Sequence, residues 1–220
     1  MRISEGERQT GMPAGLAPAR LVGYYEIGKH ESEFEGRKSL AEYVQLVFEL
    51  SGPKHPPRAD GSSVLIKLED KVSLDAGSLF YKLFAAMNYS GKATHMAQLL
   101  DDPFLIEVFH NRSSDGKRFY PSLKGKGKGY NITGPNYEDP ATGETKSLAV
   151  AAAVSPLKAF FWEGATKEDW DAIYIPGEYP ERKDEKTGEV TSRARPKNVI
   201  QNRIKEALNW KEHPLHGNVD

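Results

Sequence analysis

The sequence has no cysteine, which excludes disulfides and thiolate metal sites outright. No apolar run approaches the ~18 residues that would suggest a membrane span. Met1 to Ala19 contains basic residues but no continuous apolar core, so it does not read as a signal peptide. The chain also lacks an overall basic surplus: its net charge is −1 across 220 residues, against a globally basic nucleic-acid binder. At this length burial alone can hold a substantial core, and 38% hydrophobic with 28% charged residues is an ordinary soluble composition.

Several catalytic signatures are missing too. No His-x-x-x-His helix pair or His-Glu-x-x-His motif joins the six histidines, and no Gly-x-Ser-x-Gly elbow occurs. Lys128 is followed by Gly129, not by Ser or Thr, so the glycine-lysine stretch does not form a phosphate loop. The acid pairs Asp101-Asp102 and Asp169 with Asp171 fall in a turn before Pro103 and in the first turn of an expected helix. Both places explain acids structurally. His213 and His216 flank Pro214 and read as tail, and His110, at the end of a strand beside the basic window, reads as a structural histidine with base stacking as the alternative. No catalytic residue, metal ligand or cofactor site is expected.

What is present is uneven charge. Arg112 to Tyr130 contains Arg112, Lys117, Arg118, Lys124, Lys126 and Lys128 against Asp115 alone, a window of +5, so the remainder carries −6. Phe119, Tyr120 and Tyr130 lie among these cations, and glycines alternate with the last three lysines. Single-stranded nucleic acid needs cations along its phosphates and flat rings for unstacked bases. The candidate contacts are therefore Arg112, Lys117, Arg118, Tyr120, Lys124, Lys126, Lys128 and Tyr130. Neighbours on a strand face opposite sides, so one of Phe119 and Tyr120 meets the nucleic acid; Tyr120, whose hydroxyl tolerates water, is assigned there and Phe119 to the core. The competing reading is a solvated hairpin whose rings simply pack.

Periodicity predicts strands over Leu21–Ile27, Ala41–Leu50, Val64–Leu68, Phe104–Phe109 and Leu148–Val154. A helix is predicted over Leu79–Met87, with Asp75 as its cap. Thr166 and Asp169 have capping-box spacing. Lys186-Thr187-Gly188-Glu189 looks like a hairpin tip. Pro196 opens a helix over Lys197–Leu208 with Ile200, Ile204 and Leu208 on one stripe, and that stripe needs cover from the same chain or from a second copy, which would make a homo-oligomer. The Phe160-Phe161-Trp162 cluster, with Trp170 and Tyr174, reads as core, with a partner or base-stacking surface as the alternative. The organisation expected is a flexible arm at 1–19, a domain at 20–195, and a C-terminal helix and tail at 196–220. The fold expected is mainly β, an OB-like five-stranded barrel with a helix inserted between its third and fourth strands and a C-terminal helical extension.

The Ala41–Leu50 strand, the Leu79–Met87 helix, and the run from Leu99-Leu100-Asp101-Asp102-Pro103 into Phe104–Val108 resemble the single-stranded DNA-binding proteins of tailed bacteriophages, a divergent OB-fold group. Phe161-Trp162-Glu163 and Asn198–Leu208 share that resemblance. It implies non-catalytic coating of single-stranded DNA during phage DNA replication or recombination, in the cytoplasm of the host bacterium, with phage replication or recombination proteins as partners and no membrane. Many replication-type binders end in an acidic tail that recruits such partners. This sequence ends His213-Pro214-Leu215-His216-Gly217-Asn218-Val219-Asp220, barely acidic. A virion structural or decoration protein, and a small metal-dependent nuclease, are the two alternatives.

Overall fold

The computed structural model describes residues 11–34, 36–127, 129–183, 187–188 and 190–219. The chain is mainly β. In order come β1 (Gly15–Phe34), β2 (Arg37–Leu50), β3 (Val64–Lys71), helix α1 (Leu79–Met87), a 3-10 turn (Met96–Leu99), β4 (Pro103–Arg112) and β5 (Phe119–Ser122). The short strands β6 (Lys124–Gly125), β7 (Gly129–Tyr130), β8 (Ile132–Thr133), β9 (Asn136–Glu138), β10 (Thr145–Ser147) and β11 (Lys158–Phe160) follow. Helix α2 (Lys167–Ile173), β12 (Glu178–Tyr179), β13 (Arg182–Lys183), β14 (Val190–Ser192), β15 (Arg195–Pro196), helix α3 (Val199–Lys205) and a 3-10 turn (Trp210–Glu212) complete the chain. Seven strands form one sheet in the order β3-β2-β1-β4-β5, with β8 beside β4 and β11 beside β1. Among the described residues it does not close on itself.

Contacts group the chain into two units, Met1–Tyr24 with Val44–Leu157 and Tyr25–Tyr43 with Lys158–Asp220. This differs from an arm, a 20–195 domain and a 196–220 extension. Sequence order hides the grouping because β1 and β2 each contribute to both units.

In the first unit, Val44, Leu46, Phe48 and Leu50 on β2 are buried, as their alternation predicts. Order begins earlier than expected. Gly15 to Arg20 pair with Val108 to Pro103 on β4, and Ala17 and Ala19 are fully buried. The ladder satisfies the backbone polar groups, and small side chains suit a buried strand. The expected arm therefore shrinks; its first ten residues lie outside those described. Helix α1 buries Phe80, Leu83 and Met87, but its cap is Ser78, whose hydroxyl accepts from the Tyr81 N–H at 3.0 Å. Asp75 instead accepts from the Gly77 N–H at 2.7 Å, shaping the turn before the helix.

The expected Leu148–Val154 strand does not form. Its backbone is held mainly by side chains: the buried Glu49 carboxylate accepts the N–H groups of Val154 and Ser155 at 2.8 and 2.7 Å, and Arg20 donates to the Ala151 carbonyl at 2.6 Å. Burial alone would raise the Glu49 carboxyl, but these donors outweigh it and hold the group below its ordinary value.

The second unit is built on aromatic rings. Trp170 and Trp210 stack at 5.2 Å, Trp210 stacks on His213 at 5.0 Å, and Trp162 meets His213 edge-on at 4.6 Å. Gly28, at φ +81°, is required here, because a Cβ would lie 2.3 Å from the Trp162 ring. His213 is thus core, not tail. Sequence position misleads because the chain folds back after α3. Thr166 and Asp169 form the expected capping box of α2. Ile200 and Ile204 on α3 are buried within a single chain, whereas Leu208 is 58% exposed. The helix ends before it, and the Leu208 N–H donates to the Lys29 carbonyl at 2.8 Å. Phe160 is buried, but Phe161 is exposed. Strands β13 and β14 pair antiparallel; of the expected tip between them, Lys186 and Glu189 lie outside the described residues.

Candidate nucleic-acid interface

The basic window folds as two consecutive hairpins of the first unit. In the first, β4 pairs with β5 so that Asn111 faces Tyr120 and Arg112 faces Phe119. Its tip is closed by Asp115, whose carboxylate accepts from the Ser113 hydroxyl and, at 3.0 Å, from the Lys117 N–H. Those hydrogen bonds, Ser113's foremost, hold the carboxyl below its ordinary value. The only acid in the window therefore spends its charge on the turn itself, with Arg118 nearby. In the second hairpin β6 pairs with β7, Lys124 facing Tyr130 and Gly125 facing Gly129. Gly127 and Gly129, at φ +70° and +71°, make the tight reversal.

Asn111 joins the hairpins. Its side-chain amide donates to the Lys124 carbonyl at 2.9 Å, and Ser122 both donates to that carbonyl and accepts from the Lys124 N–H, each at 3.0 Å. Nothing in the residue pattern marks these two polar side chains as organisers. Their role depends on a register that only the folded ladder creates.

The expected contacts separate into two groups. Tyr120 is 47% exposed, and Lys117, Arg118, Lys124 and Lys126 are exposed. Among the described residues no ion pair engages Lys117, Lys124 or Lys126. The second group, Arg112 and Tyr130, also makes contacts within the first unit, Arg112 while itself exposed. The Arg112 guanidinium lies over the Phe119 ring at 4.7 Å. Phe119 is half-buried rather than core, because that cation covers it where further apolar cover was expected. Tyr130 is a wall rather than an open stacking platform. It closes a cleft of about 150 Å³ against Leu79, Lys82, Leu83 and Ala86 of α1, with Lys124 over its ring at 5.9 Å. Burial, with Asp70 nearby, pushes its hydroxyl well above the ordinary tyrosine value. Lys128 lies outside the described residues.

His110 bonds through Nε2 to the Met12 carbonyl at 2.7 Å, a structural role. Asp101 takes a left-handed φ of +68° in the turn into β4, close to Arg20. Burial first, and Asp101 second, raise the neighbouring Asp102 carboxyl. No group of three metal-ligating side chains occurs among the described residues, and no described helix is long and apolar enough to cross a membrane. Comparison of the chain with protein-family models, curated proteins and solved structures gives no match.

Proposed function

We propose that this protein binds single-stranded DNA, without catalysis and with little sequence preference, along the two hairpins of its first unit. The observation that carries this reading is the exposed Tyr120 ring on the same two hairpins as four exposed cations, Lys117, Arg118, Lys124 and Lys126, whose lysines no acid neutralises among the described residues. Phosphates would run along the cations while a base stacks on the ring, an arrangement that tolerates any sequence because every base has a flat face.

The strand order favours the same reading. An OB barrel arranges its strands β3-β2-β1-β4-β5 with a helix between β3 and β4, and contacts nucleic acid through its β4–β5 loop. The sheet here has that order and that helix, and β3 runs near β5 without a ladder. We read it as an OB-like barrel left open between those two strands. The hairpin of Lys117 and Arg118 is then the β4–β5 loop. The biological setting, coating of single strands in phage replication or recombination inside the host bacterium, rests on the resemblance of the Ala41–Leu50, Leu79–Met87 and Leu99–Val108 segments. Fluorescence titration with single- and double-stranded oligonucleotides at several salt concentrations tests the proposal. Preference for the single strand with a steep salt dependence supports it; no binding at low salt contradicts it.

A further inference from the structure

The second unit carries a basic stretch of its own. From Val190 to Lys205 the sequence has Arg193, Arg195, Lys197, Arg203 and Lys205 and no acid, a charge of +5 that equals that of the first window. Folding gathers part of it around one ring. Strands β12 and β15 pair so that Tyr179 faces Arg195 directly, and the Lys197 N–H donates to the Gly177 carbonyl at 2.9 Å, extending the ribbon. Residues opposite each other, or two apart on one strand, share a face. Accordingly the Arg195 guanidinium lies 5.3 Å and the Lys197 ammonium 5.6 Å from the Tyr179 ring centre. The ring itself is 45% exposed.

The nearby acids do not neutralise this pair. Glu178 neighbours Tyr179 along the strand and so faces the other side, and Glu181 pairs with Lys183 at 3.4 Å. Among the described residues neither Arg195 nor Lys197 is in an ion pair. An accessible ring with two cations over its face, neither paired with a carboxylate among the described residues, suits an aromatic base joined to a phosphodiester, the base stacking on the ring or on the Arg195 plane above it. The ring accepts the base and the cations take the adjoining phosphates.

We propose that Tyr179, Arg195 and Lys197 form a second single-strand contact site, separate in the chain from the Arg112–Tyr130 window. This rests on the reading that the protein binds single-stranded DNA, and it gives each unit one ring-and-cation site of its own.

The test uses the full chain and a fluorescently labelled oligothymidylate of about 40 nucleotides, longer than the ~4–16 nucleotides that one OB-type site occupies. Arg195→Gln with Lys197→Gln should make the slope of log affinity against log salt shallower by about 1.4, since each lost phosphate contact removes about 0.7. Tyr179→Ala should weaken binding roughly 5- to 150-fold, and Tyr179→Phe should bind as the parent does. All three tryptophans lie in the second unit, so their fluorescence reports whether that unit remains folded. The unaltered protein supplies a further measurement that needs no variant. Photocrosslinking to bromodeoxyuridine-substituted single strands, with peptide mapping, should label Tyr179. A parent slope kept by the double glutamine variant, or no crosslink within Glu178–Lys197 while the first window is labelled, overturns the second site and leaves the first standing. A parent chain that binds no single-stranded DNA overturns both.

Discussion

Asn111 and Tyr120 face each other across β4 and β5, and Asn111 reaches beyond that pair to the Lys124 carbonyl at 2.9 Å. One amide thus sits opposite the Tyr120 ring and fastens the second hairpin to the first. Asn111→Ala should lower thermal stability by about 1 kcal/mol, the usual worth of one hydrogen bond. It should weaken single-strand binding severalfold with an unchanged salt slope, because no cation is lost. Melting curves measured beside salt titrations separate this from loss of charge: a shallower slope would contradict the assignment of Asn111 as a positioning residue.

The three rings of the window should behave differently. Tyr120→Ala should cost affinity, roughly 1–3 kcal/mol, and leave the melting temperature within error, since the ring is exposed. Tyr130→Ala should do the reverse, destabilising the fold by about 2 kcal/mol as it opens the cleft beside α1. Phe119→Ala should cost both, because it removes the platform beneath Arg112. Affinity and melting temperature measured on the same three variants check the assignment. Equal losses of affinity at Tyr120 and Tyr130 would contradict it.

His213 makes the second unit sensitive to acid. Its Nδ1 accepts from the Leu215 N–H at 3.1 Å while Nε2–H donates to the Trp162 carbonyl at 2.9 Å, a network that requires the neutral ring. Burial lowers its pKa from the ordinary 6.5, only partly offset by the Trp162 carbonyl. With the folded value below the unfolded one, stability is complete above about pH 6.5 and declines as the pH falls below it. Tryptophan-monitored melting between pH 8 and 5 should show this decline in the parent. His213→Gln should melt lower at pH 8 with a weaker pH dependence. Parallel pH profiles would place the acid sensitivity in another group.

The residue pattern reveals the fold where one side of an element faces the core and the other faces solvent or a local cap. Helix α1 and the capping box of Thr166 and Asp169 are such cases. It falls short where cover comes from far along the chain. Leu21, Val22, Tyr24 and Tyr25 are all buried, so β1 offers no alternation and its full length, Gly15–Phe34, is hidden. Glu49 looks like a solvent-facing residue of β2, yet its partners lie on backbone more than a hundred residues later. The basic window was visible because charge density is local. Which of its rings remains accessible was not, since Tyr130 is covered by α1, from before β4 in the sequence. The Tyr179 site escaped notice for a related reason: Arg195 and Lys197 acquire their shared ring only when β15 pairs with β12.

The most direct test of the account is the salt dependence of single-strand binding by the variant in which Lys117, Arg118, Lys124 and Lys126 are all alanine. These side chains are exposed, so the melting temperature should match the parent's. The slope of log affinity against log salt should become shallower by about 2.8, at about 0.7 for each lost contact. A variant that binds as tightly as the parent at every salt concentration would place the interface away from the two hairpins and contradict the account.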